Sequence, residues 1–235
     1  MILTQKLRVA TFNIHHAEGV DGVVDVGRIA AALDRLGADV IALQEVDRGW
    51  ERSGEADQAA EIRRLTGMEV VFWPTVTRAG SEYGIAVATA PGAAPPAAAS
   101  FEVLPRLGTE EPRGFIRMDG DGVTIFATHL SRARRARAIQ TRRLAEVIGR
   151  TSGPVVLLGD LNQTPRALGP LRAAGLDAGP ATLPTLPSSG PRRQVDFVLA
   201  GGGARVAEAW THRTLVSDHV PLVAVIDFAG AGPST

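Results

Sequence analysis

Six short polar tokens punctuate the chain, each at the end of an apolar run: Thr11-Phe12-Asn13, Leu43-Gln44-Glu45, Thr128-His129-Leu130, Gly159-Asp160-Leu161-Asn162, Gln194-Val195-Asp196 and Ser217-Asp218-His219. Asn, Asp, Glu and His are poor strand residues, and ending strand after strand with one of them costs stability. Carboxylates, carboxamides and imidazoles brought together can hold a divalent cation, activate a water and stabilise charge on a phosphoryl group. Each token alone has a mundane explanation, but their joint occurrence points to one assembled site. The chemistry such a site suits is metal-dependent cleavage of a phosphate ester.

Residues two apart on an extended chain project to the same side, so Asp160 and Asn162 can address one point while Leu161 turns toward the core. A carboxylate beside a carboxamide suits a water that must be both deprotonated and oriented. An Asp-x-Asn turn satisfying its own backbone is the structural alternative. Asp218 could bind a divalent cation while His219 faces a phosphoryl oxygen. Asp196 could hold that imidazole by its far nitrogen and favour its charged form; a serine-aspartate cap before a turn is the alternative. Glu45 caps a buried run and needs a partner there, either a metal or a salt bridge to Arg48. For His129 the alternative is a satisfied core histidine, and for Asn13 an ordinary strand-end turn.

These residues need a scaffold that delivers distant strand ends to one place, as α/β sheets do. Strands are expected at Leu7–Phe12, Val40–Leu43, Val70–Trp73, Ile85–Ala88, Phe115–Met118, Val123–Thr128, Val155–Leu158, Val195–Leu199, Arg205–Trp210 and Leu222–Ile226. Asp25 caps a helix whose Val26, Ile29, Ala30, Leu33 and Leu36 share a face, with Gly37 as its stop. Further helices are expected at Ala56–Leu65 before Gly67, at Arg132–Ile148 and near Arg166–Ala174. Pro91–Ala99 and Gly179–Arg192 read as loops, and Asp119-Gly120-Asp121-Gly122 as a hairpin turn. No composition break divides the halves, so residues 1–228 read as one domain and 229–235 as a flexible tail.

Composition narrows the classes. The chain has 235 residues, 45% hydrophobic, enough for a sizeable core. Its formal net charge is zero, so no global field advertises nucleic acid or an anionic membrane. There is no cysteine, which excludes disulfides and thiolate metal sites. As given, the sequence shows no signal peptide and no apolar run of about 18 residues, so a cytoplasmic protein without stable membrane insertion is expected.

The tokens taken in order, Thr-Phe-Asn-Ile, Leu-Gln-Glu-Val, Thr-His-Leu, Gly-Asp-Leu-Asn, Val-Asp-Phe-Val and Ser-Asp-His-Val-Pro, resemble the endonuclease/exonuclease/phosphatase superfamily from about Leu7 to Ile226. The resemblance implies a four-layer α/β sandwich, two mixed β-sheets face to face with helices outside and the site at one end. It implies Glu45 as the main Mg²⁺ ligand (Mn²⁺ the alternative), assisted by Asn13 and Asp218. Asp160 would activate the attacking water and Asn162 contact the phosphate. His219, paired with Asp196, would stabilise the pentacovalent transition state, and His129 would hold a non-bridging oxygen. Oxygen donors without thiolates suit Mg²⁺ or Mn²⁺ better than zinc.

Arg113, in Glu111-Pro112-Arg113-Gly114, fits a bidentate phosphate clamp, with a surface ion pair as the alternative. Tyr83 could donate a hydrogen bond to phosphate, although Ile85 stands after Tyr83-Gly84 where many relatives carry Asn. Relatives often orient the histidine equivalent to His129 with a glutamate, and Glu82 is the nearest candidate. His15-His16 could line the entrance or be an exposed loop pair. The arginine-rich stretch from Arg132 could guide a polyanion, but its charges spread around the helix without aromatic interleaving, which favours a solvated face. The expected activity is thus hydrolysis of a phosphodiester by in-line attack of an activated water, as a nuclease or a small-molecule or lipid phosphodiesterase with nucleic acid staying open, and a monomer is favoured. A phosphomonoesterase for a sugar or inositol phosphate, or a silent binding module on the same fold, is the alternative.

Overall fold

Period-two alternation of apolar side chains builds two sheets that share one core. In chain order the strands are β1 (Leu7–Asn13), β2 (Val40–Arg48), β3 (Glu69–Arg78), β4 (Ser81–Thr89), β5 (Ala98–Val103), β6 (Gly114–Gly120), β7 (Val123–His129), β8 (Val155–Asp160), β9 (Asp196–Gly201), β10 (Ala204–Thr211) and β11 (Leu222–Phe228). They are joined by helices α1 (Val26–Leu36), α2 (Gln58–Thr66), α3 (Arg134–Gly149) and α4 (Gly169–Ala173). The computed structural model describes residues 6–93, 98–120, 122–179 and 182–228. One sheet runs β10-β11-β1-β2-β4-β3 and the other β5-β6-β7-β8-β9. β1 with β2 and β7 with β8 pair in parallel, their neighbours antiparallel, so both sheets are mixed.

On β1 and β2, Ala10, Phe12, Ile41 and Leu43 pack against Ile29 and Leu33 of α1 and Ile62 of α2. Their alternates Val9, Val40 and Ala42 face the other sheet and meet Ile125, Ala127, Val156 and Leu158. The far side of that sheet, with Phe126, Leu157 and Phe197, is covered by Leu144 and Ile148 of α3 and Leu171 of α4. Helix, sheet, sheet, helix is the four-layer α/β sandwich expected. No described helix is long and apolar enough to cross a membrane.

The helix signals act as read. Asp25 accepts from the Arg28 N–H and Gly37 adopts φ +54° at the end of α1, where only glycine is relaxed. The differences have local causes. β2 runs on to Arg48 through an irregularity between Gln44 and Val46. β3 continues past Pro74 to Arg78, which its edge position permits because a proline there breaks no ladder on its free side. β5 is a strand where a loop was read to Ala99, its alanines hiding the pattern. α3 begins two residues late because Ser131 first makes a turn, its Oγ accepting from Ala133 N. Residues 94–97, 121 and 180–181, within the expected loops and hairpin turn, and the tail 229–235 lie outside the described residues.

Gly159 of β8 is the register partner of Thr128 on β7. A Cβ there would lie 2.1 Å from the Thr128 carbonyl oxygen. Gly159→Ala is therefore expected to destabilise the fold by about 1–3 kcal/mol through overpacking. Urea unfolding measures it, and an unchanged midpoint would show that the strand pair gives way freely.

Candidate active site

The parity of the inner core continues past its last apolar residue, and there it becomes polar. On β7, β8 and β9 the inward positions Ile125 and Ala127, Val156 and Leu158, and Val198 are extended by His129, Asp160 and Asp196. His129 and Asp160 are register partners, as are Asp160 and Asp196, so the three form a row across one sheet. Asn13 ends β1 on the inner side of the opposite sheet, and all four are buried. The site is thus the lip of the interlayer core.

Glu45 reaches this lip by a different device. Strict alternation would send it to the side of Ile41 and Leu43, beneath the helices. Instead Glu45 takes φ +59° in a β-bulge, and Val46 fills the outer position. A bulge re-aims one side chain, and a non-glycine residue in this region costs of order 1–3 kcal/mol. Asn162 is held likewise, at φ +50°.

The convergence is direct. Asn13 Nδ2 donates to Glu45 Oε1 at 2.9 Å and to Asp160 Oδ2 at 3.2 Å. His219 Nε2 lies 3.9 Å from that Asp160 oxygen, and its Nδ1 is 2.8 Å from Asp196 Oδ2. Asp160 Oδ1 accepts from Asn162 N at 2.8 Å, so the self-satisfying turn and the functional pairing are one arrangement. Leu161 turns back into the core. Ser217 frames the loop: its Oγ donates to the Asn13 carbonyl at 2.7 Å and accepts from His219 N at 3.1 Å.

The electrostatics follow from burial with few partners. Burial first, then the charge of Asp196, raises the Asp160 carboxyl from 3.8 to about 7, against His219 and the Asn162 and Asn13 donors. For His219 burial favours the neutral ring, but the charge and hydrogen bond of Asp196 outweigh it, with Asp160 and Asp218 adding. The imidazole rises from 6.5 to about 10.

His129 is held from the other side. Arg113 Nη1 donates to its Nδ1 at 2.9 Å, so the ring proton sits on Nε2. That N–H faces Asp160 Oδ2 at 3.5 Å, while Asn162 Nδ2, 3.1 Å away, donates to the Leu130 carbonyl at 3.0 Å. Burial first, then the Arg113 charge, keeps the ring well below its ordinary 6.5. Arg113 is itself buried and also pairs with Glu111 Oε1 at 2.9 Å. Its guanidinium is held by His129 and Glu111, with Nε left without a partner among the described residues, so the alternative of a surface ion pair does not hold. Glu82 does not orient His129: it pairs with Arg48, which also takes Asp57, so Arg48 is not the partner of Glu45 either. Tyr83 is buried near Glu45 and Arg113, and burial with the Glu45 charge pushes its phenol well above 10.0, which keeps its proton in place as a donor.

His129 supplies a pH signature. Its folded value lies below 6.5, so the neutral ring contributes stability above 6.5 that is lost as acid forces a proton onto it. Below about 6.5 each pH unit is expected to cost up to about 1.4 kcal/mol from this group. Denaturant unfolding of wild type and His129→Gln at two pH values measures the difference, which vanishes if His129 titrates normally.

The donor set fits a divalent cation. Glu45 and Asn13 adjoin Asp160, and the chain has no cysteine to offer a thiolate. As placed, the Asn13 amide turns its N–H toward both acids and its Oδ1 toward His15 N, so ligation would use Oδ1 after the amide turns over. Asp218 stands further out, about half exposed, 4.0 Å from His15 Nδ1. Three supporting residues carried no signal of their own. Ser217 lies inside the Ser217-Asp218-His219 token, Glu111 beside Arg113, and Ser188, which donates to the Ser217 carbonyl, comes from the long loop.

Over residues 10–219 the chain matches the model of the Endonuclease/Exonuclease/phosphatase family. No curated protein matches it. A solved endonuclease/exonuclease/phosphatase from Beutenbergia cavernae DSM 12333 superposes with TM-score 0.77 at 24% identity, over 98% of this chain and 73% of that one. A mannosyl-6-phosphatase of Bacteroides thetaiotaomicron VPI-5482 gives 0.73 at 18%, over 94% and 100%. Truncated Caenorhabditis elegans TDP2 gives 0.69 at 18%, over 95% and 98%. At these identities the likeness is one of fold.

Proposed function

The chain belongs to the endonuclease/exonuclease/phosphatase family, hydrolases acting on phosphoester bonds, and on that premise we propose that it is a Mg²⁺-dependent phosphodiesterase using in-line attack by an activated water. The observation that carries the reading is the Asn13 amide bridging Glu45 and Asp160, with His219 beside the same Asp160 oxygen.

Glu45 and Asn13, with Asp218 at the mouth, would hold the cation. A Mg²⁺ held there would neutralise charge developing on the phosphoryl oxygens and orient the ester. Asp160 takes the proton of the attacking water. A carboxyl raised to about 7 is matched to that task near neutral pH. Asn162, its side chain beside His129, contacts the phosphate. The charged His219, fixed by Asp196, stabilises the pentacovalent transition state with a preorganised donor. His129 presents Nε2–H to a non-bridging oxygen, and Tyr83 offers its hydroxyl.

The test is hydrolysis of bis-p-nitrophenyl phosphate before and after EDTA, with Mg²⁺ or Mn²⁺ restored. Activity is expected to vanish with chelation and return with the ion. EDTA-resistant turnover would remove the metal from the reading. Turnover of p-nitrophenyl phosphate alone would make the enzyme a monoesterase, and inertness to both with retained ligand binding a silent module. A panel of plasmid, abasic duplex, single-stranded RNA, inositol phosphate and sphingomyelin then assigns the substrate. Within the arginine-rich helix, Arg137 already bonds the Ser131 and Arg132 carbonyls, and Arg143 pairs with Glu102. That commitment weakens the case for a nucleic-acid track along α3.

A further inference from the structure

Two histidines beside Glu45 have no part in the mechanism above. One nitrogen of His15, one of His16 and one Glu45 oxygen lie within 4.8 Å of one another. The two rings are each fixed through a single nitrogen, and the same residue fixes both. His16 Nε2 faces Glu18 Oε2 at 3.0 Å, an acceptor, so that nitrogen carries the ring proton. Its Nδ1 is buried with no hydrogen-bond partner among the described residues, in a side chain only 9% exposed. His15 Nδ1 lies 3.3 Å from the Glu18 carbonyl, which again places the proton there and leaves Nε2 with its lone pair.

Metal-ligating imidazoles are oriented in this way: one ring N–H goes to a carboxylate or a backbone carbonyl while the other nitrogen binds the ion. Here Glu18 supplies both kinds of partner. The supporting peptide is also anchored. His15 N donates to Asn13 Oδ1 at 3.0 Å, and the buried Gln58 donates to the His16 carbonyl at 2.7 Å. An unpartnered buried imidazole nitrogen is costly in an ordinary loop. A cation accounts for it, for the shared anchor and for the nearby carboxylate together.

We propose that His15, His16 and Glu45 form a second cation position adjoining the one at Asn13 and Glu45, taking a borderline transition-metal dication such as Zn²⁺ in preference to Mg²⁺, with the harder Mn²⁺ able to enter it as a spectroscopic probe. Imidazole nitrogen favours such ions, whereas Mg²⁺ favours oxygen. Bonds of about 2.0–2.1 Å set neighbouring donor atoms roughly 3.3 Å apart. The partly exposed His15 ring and Glu45 carboxylate can close that difference. The position depends on the phosphodiesterase reading only through Glu45, which the two ions would share.

The test uses tag-free full chain without substrate. Zn²⁺ binding is followed by calorimetry, and bound Mn²⁺ is examined by electron spin echo modulation for ¹⁴N coupling. Wild type is expected to show nitrogen coupling, and His15→Gln, His16→Gln and Glu18→Gln each to weaken Zn²⁺ by about 10–100-fold. Zn²⁺ affinity within about twofold of wild type in the histidine variants, or Mn²⁺ free of nitrogen coupling, would overturn the proposal. If the buried His16→Gln does not fold, the partly exposed His15→Gln decides alone. Nitrogen-ligated Mn²⁺ in a chain that hydrolyses no ester would remove the phosphodiesterase reading and keep this one. Mg²⁺-dependent turnover with all-oxygen Mn²⁺ would do the reverse.

Discussion

Asp160→Ala is expected to lower turnover of bis-p-nitrophenyl phosphate by about 10²–10⁴-fold, the usual contribution of a positioned general base. The carboxyl is 2% exposed and its oxygens are held by Asn13 and Asn162, so it cannot be replaced by a neighbour without rebuilding the lip. Asp160→Asn separates chemistry from scaffolding. Its amide oxygen can still accept one of those N–H groups while the ability to take a proton is gone. The two variants should be similarly slow, and Asp160→Asn should melt at or above wild type, because it removes a desolvated acid repelled by Asp196. Near-normal turnover in either variant would take Asp160 out of the mechanism.

His219→Ala is expected to cost about 10²–10³-fold, as for loss of one preorganised donor to the transition state. The variant carries a structural penalty too. Asp196 is fully buried, its Oδ1 is already without a partner among the described residues, and His219 is the side chain that satisfies Oδ2. Breaking such a pair from one side typically costs 3–5 kcal/mol, so activity must be read on protein shown to be folded. His219→Gln serves as the control, since its amide can still donate to Asp196. Free imidazole should partly restore His219→Ala and leave Asp160→Ala unchanged. Wild-type rates in a folded His219→Ala would exclude the imidazole from catalysis.

The strand ends were legible because a polar residue terminating an apolar run leaves a sharp mark, and because inward parity carries past the last apolar side chain. Asn13, His129, Asp160 and Asp196 follow from that rule once the inward face is known. Glu45 obeys the opposite rule. Its position depends on an extra residue in β2, visible only in the register against β4. Arg113 and His129 are sixteen positions apart, and their pairing depends on how β6 and β7 align. Glu82 is the weaker choice because Arg48, itself stacked on Phe72, pairs with it instead.

By itself the sequence determined the α/β class, the capped helices, the family likeness and the set of acids, amides and imidazoles, since all of these arise from local periodicity and residue chemistry. Only the tertiary structure decided which of them touch. It set Asn13 between two carboxylates, committed Arg113 to the interior, moved Asp218 to the rim, and stood His15 and His16 beside Glu45. Contacts of that kind depend on strand register, bulges and the approach of two sheets, and those are settled by the packing of the whole core rather than by any short stretch of chain.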